Sequence, residues 1–89
     1  MTEQEIQEFG QALAERFKQV GDEWSIAERN FRESLYSSVS KRVEVLELER
    51  KKDKAKAIYE TWSAVTDMLP LDIKRAFIAH YQKIKPTED

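Results

Sequence analysis

His80 is the only histidine in the chain, so any imidazole acid-base or metal chemistry would have to run through it. A working imidazole needs a second group to fix its tautomer and orientation, and no His-x-x-His or Glu-x-x-His spacing supplies one. His80 shares a helical stripe with Phe77 and Ile84, and we read it as a histidine at the edge of a core. Carboxylates are abundant, and Glu5 with Glu8, or Glu44 with Glu47, fall on common helix faces as paired-carboxylate hydrolysis would need. On helices this rich in charge such pairs are ordinarily solvated. Glycine-rich phosphate loops and serine nucleophile elbows are both missing. The reading is therefore a protein that is not an enzyme, with no catalytic residue, no cofactor and no metal site assigned.

The strongest charge feature is the run Arg50, Lys51, Lys52, Lys54 and Lys56. It has the composition of a phosphate-binding segment, with Lys74 and Arg75 able to support it. Against this stand a net charge of −2 and a mostly apolar helix after Leu69-Pro70-Leu71, which would make a poor recognition helix. Nucleic acid is kept as the alternative partner. More informative are apolar and aromatic residues that fall off the expected core stripes: Tyr36, Val45, Leu48, Tyr59, Met68 and Ile78. Tyrosines and aliphatics rimmed by arginine and glutamate have the composition of a protein interface.

The elements that must position these residues are helical. Two glycines and two prolines in 89 residues leave little turn chemistry for hairpins. A hydrophobic content of 40 % suffices for one small domain spanning 1–89, while 36 % charged residues imply wide solvated faces. Thr2 with Glu5 fits a capping box, and Ile6, Phe9, Leu13, Phe17 and Val20 form the stripe of a first helix. Gly10 lies on that stripe, where a bulky side chain such as Trp24 or Trp62 is expected to cover it. Gly21 is placed for a helix C-cap, and Ser25 with Glu28 for a second capping box.

A second stripe follows through Ala27, Phe31, Leu35, Val39, Val43 and Leu46, and a third through Ala55, Ile58, Trp62, Val65 and Leu69. At 100° per residue Ile58 points away from Phe31, so a break near 50–53 with Asp53 as N-cap is expected. Ile73, Phe77, His80, Tyr81 and Ile84 make the last stripe, closed by Pro86, with 86–89 expected to fray. The fold expectation is an all-α, four-helix bundle-like domain with helices near 3–20, 25–49, 54–69 and 71–85. A continuous helix across 26–69 is the alternative. The serines at 34, 37, 38 and 40 make the poorest helix-forming region and predict a polar seam or a close helix crossing.

Charge is unevenly distributed: six basic and eleven acidic groups in residues 1–49, nine basic and four acidic in 50–85. Such asymmetry favours antiparallel self-association or an acidic partner. The acidic N-terminus and the lack of a long apolar run point to a cytoplasmic protein without a membrane partner, and the absence of cysteine removes disulfides. Together these features predict a helical protein–protein interaction module, an adaptor, chaperone-like or inhibitory accessory protein. A homodimer is expected, and the protein partner is not identified.

Overall fold

The computed structural model describes residues 1–37 and 41–84, and it contains three α-helices, not four: α1 (Glu3–Tyr36), α2 (Arg42–Asp67) and α3 (Leu71–Ile84). The all-α class stands; the four-helix count does not. Thr2 caps α1 with the expected reciprocal box, its hydroxyl accepting from the Glu5 N–H while the Glu5 carboxylate accepts from the Thr2 N–H, both at 3.2 Å. The last helix also begins where expected, with the Lys74 N–H donating to the Pro70 carbonyl at 2.8 Å and proline tolerated because its missing N–H would be free there anyway. Positions 85–89, including Pro86 and the tail expected to fray, lie outside the described residues.

Two expected breaks are helical. The first helix runs straight through Gly21–Ser25, because nothing there needs a positive φ and three contacts hold it. Lys18 pairs with Asp22 at 2.7 Å across Gly21, Tyr59 lies over Gly21, and Trp24 packs on the same Tyr59 ring at 4.9 Å. Likewise α2 runs through 50–53, with Asp53 in mid-helix and not at a cap. α1 ends at Tyr36 and α2 begins at Arg42, so the single helix across 26–69 is not formed either. α1 ends just after Ser34, whose Oγ donates to the Phe31 carbonyl at 2.6 Å and so competes with the backbone ladder. Val39, Ser38 and Ser40 lie outside the described residues.

With the breaks moved, the buried positions fall into register. On α1 the buried and half-buried seam is Ile6, Gly10, Leu13, Phe17, Val20, Trp24, Ala27, Phe31 and Ser34, with the fully buried Ala14 beside Leu13; on α2 the half-buried Val45, Leu48, Lys52, Ala55, Tyr59 and Trp62 and the buried Thr66 follow the same rhythm, and Leu69 continues it just past the helix end. Both sets alternate steps of three and four, the seam pattern of a coiled coil. Trp24 meets Tyr59, and seven residues onward Phe31 meets Lys52, seven residues earlier on α2, which fixes the two helices as antiparallel. Several residues expected in the core are therefore outside it: Phe9, Leu35, Val43, Leu46, Ile58 and Val65 are exposed.

Gly10 meets no tryptophan. A Cβ on it would lie 2.6 Å from the Ala76 Cβ and within 2.9 Å of the backbone at Ala76 and Phe77, so α1 and α3 touch almost backbone to backbone. This approach brings Phe77 and Tyr81 onto Phe17, at ring distances of 5.7 and 5.2 Å. α3 spans about 21 Å beside the roughly 51 Å of α1 at 1.5 Å per residue, so it covers only one half of the α1–α2 pair. The result is a rod of 56 × 25 × 15 Å.

The two glycines should respond oppositely to alanine. At Gly10 the added methyl meets backbone that no rotamer change can move, so Gly10→Ala should destabilise by about 1–3 kcal/mol, partly offset by up to ~1 kcal/mol of helix propensity. At Gly21 the nearest atom to such a methyl is 3.6 Å away on Tyr59, an ordinary contact, and Gly21→Ala should stabilise by about 0.5–1 kcal/mol. Urea unfolding followed by circular dichroism measures both.

Candidate interaction surfaces

His80 is half-buried at the α1–α3 junction, with Nε2 3.1 Å from Gln7 Oε1. That bond ties α3 to α1 and gives the ring a structural partner. The carboxylates are likewise engaged locally: Glu8 accepts from Gln4, Glu3 from Gln7, Glu15 from Gln11, and Glu28 pairs with Arg32 at 3.1 Å. Glu44 accepts from the Lys41 N–H at 3.4 Å where α2 begins. Among the described residues, no three histidine or carboxylate side chains form a group able to hold a metal ion. Among the same residues, no helix is long and apolar enough to cross a membrane.

The six residues expected to form a protein-binding surface divide into two groups. Tyr36, Met68 and Ile78 are exposed, whereas Val45, Leu48 and Tyr59 are half-buried on the seam facing α1. Tyr59 in particular packs between Phe17, at 5.1 Å, and Trp24. Tyr36 ends α1 beside the start of α2 and Met68 follows the end of α2, so the two stand at opposite ends of α2. The sequence reading missed their neighbours. Val43 and Leu46 lie just past the turn from Tyr36, and Val65 and Leu71 flank Met68, all of them exposed. Position on the seam rhythm was the available signal, since none of these four occupies it.

The basic residues also separate. Successive 100° steps send Arg50, Lys51, Lys52, Lys54 and Lys56 around most of the α2 circumference. Lys52 turns inward and places its ammonium 4.4 Å from the centre of the Phe31 ring, a cation–π contact made along the seam. Lys56 reaches Glu60 at 4.0 Å. Lys74 and Arg75 belong to the first turns of α3, at the other end of the rod from the start of α2.

No family model, curated protein or solved structure matches this chain.

Its physical features must therefore carry the functional reading. One of them is the aromatic cluster at the centre, where burial, and then the charges of Tyr59 and Asp22, push the Tyr81 phenol above its ordinary value near 10, with Lys18 pulling the other way. Below pH 10 the phenol is protonated in both folded and unfolded chains and contributes no pH dependence. As pH rises past 10 the unfolded chain ionises first, so stability should fall with rising pH. Tyr81→Phe should remove that share of the alkaline loss. A tyrosine absorbance titration with parallel urea unfolding between pH 8 and about 11 checks both statements.

Proposed function

We propose that this protein is a helical protein–protein interaction module, an adaptor, chaperone-like or inhibitory accessory protein that works by binding and not by catalysis. The observation that carries this reading is the exposure of large apolar side chains at both ends of α2. Tyr36 and Val43 at one end are 85 and 75 % exposed, and Met68 and Leu71 at the other are 78 and 63 % exposed. Isolated exposed apolar residues are ordinary, but here they stand beside Leu35 and Leu46 at one end and Val65 at the other. None of them is needed to complete the internal seam, so folding alone gives no reason for their apolar character.

The nucleic-acid alternative draws less support. Phosphate binding wants several cations on one face, and here the basic run is wound around α2 with Lys52 committed to Phe31. Fluorescence anisotropy with duplex and single-stranded probes should show no salt-sensitive binding. Binding that weakens with salt and disappears on changing Lys51, Lys52 and Lys54 to glutamine would restore that alternative.

The protein-binding reading is tested by placing a photo-crosslinking amino acid at Tyr36, at Met68 and, as a control, at Ala12, an exposed position on α1 away from the seam. Irradiation in the producing cell should give discrete protein adducts at Tyr36 or Met68 and none at Ala12, while circular dichroism confirms that helicity is kept. If neither end yields an adduct with any protein, including the chain itself, the reading is wrong.

A further inference from the structure

The contact between α1 and α2 changes character along its length. The buried apolar residues, Ile6, Ala14, Phe17 and Val20 on α1 and Ala76 and Phe77 on α3, belong to the part that α3 braces. The ring contacts that start from Phe77 and Tyr81 pass through Phe17 and Tyr59 and finish at Trp24. Beyond Trp24 the two helices meet through Ala27, Phe31, Val45, Leu48, Lys52 and Ala55, every one of them half-buried. The buried residue described in this outer part is Ser34, and its hydroxyl bonds within its own helix.

Polar contacts do not make up the difference. Among the described residues of the outer part, the ion pairs lie within single helices, Arg32 with Glu28 and Lys52 with Asp53. Across the seam the Lys52 ammonium rests 4.4 Å from the centre of the Phe31 ring, a contact that contributes little where water reaches the cation. Stability varies along a structure with the apolar contact each part buries, and contiguous segments open together. Parting α1 from α2 outside the Trp24 and Tyr59 pair breaks the half-buried seam alone. Parting them any further in would uncover Phe17 and the rings around it.

We infer that residues 27–36 and 42–55 form a tip that opens as one unit while the part braced by α3 stays folded, with the Trp24–Tyr59 contact as the boundary. Opening changes the surface the rod presents. Closed, this end shows Leu35, Tyr36, Val43 and Leu46. Open, it adds Phe31, Val45 and Leu48 and releases Lys52 from its ring. The tip is a switch between a small apolar surface and a larger one, set by the weakness of its own seam. This goes beyond the binding reading above and does not depend on it, since opening needs no partner.

Hydrogen exchange of the full chain, resolved to single amides by nuclear magnetic resonance at several low urea concentrations, tests the inference. Amides of Phe31 and Arg32 and of Leu48 to Lys52 should share one protection factor, about tenfold or more below that of Phe17 and Val20. Their protection should also fall less steeply with urea, because a partial opening exposes less surface than global unfolding. Phe77→Leu supplies the second reading. It weakens the braced part in the closed and open forms alike, so protection at Phe17 and Val20 should drop by roughly tenfold while the tip amides keep their parent values. Equal protection and equal urea dependence at the tip and at Phe17 in the parent chain overturn the inference. So does a Phe77→Leu variant whose tip amides lose as much protection as those of Phe17, because the rod then unfolds as one unit.

Discussion

Phe17 is the side chain on which the fold converges. Its ring touches Tyr59 of α2 and both Phe77 and Tyr81 of α3, at centroid distances of 5.1, 5.7 and 5.2 Å. The last two helices scarcely approach each other, so each is held by α1, and Phe17 is where the two attachments meet. The geometry depends on the small pair Gly10 and Ala76, since a bulkier residue at either position would lift α3 away and draw Phe77 and Tyr81 off the ring. Aromatic pairs contribute about 0.5–1.5 kcal/mol each beyond the area they bury, so this cluster is a sizeable part of the stability a small domain has. The penalty of a mid-helix glycine, roughly 1 kcal/mol, is the local cost of that approach.

Packing is therefore graded along the rod. Where α3 is present, Ile6, Ala14, Phe17, Val20, Ala76 and Phe77 are buried. Beyond it the two long helices hold each other through a single seam of half-buried residues, among them Ala27, Phe31, Val45 and Leu48. That seam contains Lys52, whose stem lies along the interface and whose charge rests over Phe31, and it ends at Ser34, whose hydroxyl is satisfied by its own helix. A two-helix seam with polar members is the less stable end of such a structure, and local opening should begin there. The exposed cluster of Leu35, Tyr36, Val43 and Leu46 sits at that end. Covering it would stabilise the part of the rod with the least packing of its own.

Much of the architecture was legible in the residues: the all-α class, the cap at Thr2, the start of α3 after Pro70, and Phe17 in the core. What misled was the assumption that the buried stripe is the most hydrophobic one. The seam of α2 runs through Lys52 and Thr66, and that of α1 through Gly10 and Ser34, while Phe9, Val43, Leu46, Ile58 and Val65 are outside. Along one unbroken helix Ile58 points away from Phe31 and a break at 50–53 follows, but α1 ends at Tyr36 and α2 begins at Arg42, so the two residues do not share a helix and α2 needs no break. Gly21 misled for a related reason, since a glycine invites a turn only if nothing spans it, and here Lys18 and Asp22 do. The serines around 34–40 predict a polar seam or a close helix crossing inside one helix; α1 instead ends at Tyr36, just after Ser34 donates its hydroxyl to the Phe31 carbonyl. Of the candidate surface, Tyr36, Met68 and Ile78 could be found as apolar residues off the stripe, but Val45, Leu48 and Tyr59 could not be separated from them until the seam was fixed.

The same displacement of apolar residues bears on function. A helix with a single partner has one reason to be apolar, its seam, and solvent should favour polar residues elsewhere. On α2 the charge is divided differently: Lys52 interrupts the inner seam, and Arg50, Asp53 and Lys54 interrupt the exposed outer stripe of Val43, Leu46 and Val65 at nearly the same height. A polar residue inside an otherwise apolar seam costs stability, and its best-attested return is specificity, because it penalises registers that leave the charge unmatched. On the inner side Phe31 is the feature that receives Lys52, and it does so only when α1 and α2 are antiparallel in the observed register. The outer stripe has the same construction without a partner inside the chain. A charged middle between two apolar ends is a poor surface for a partner that slides and a good one for a partner that must stop at one position.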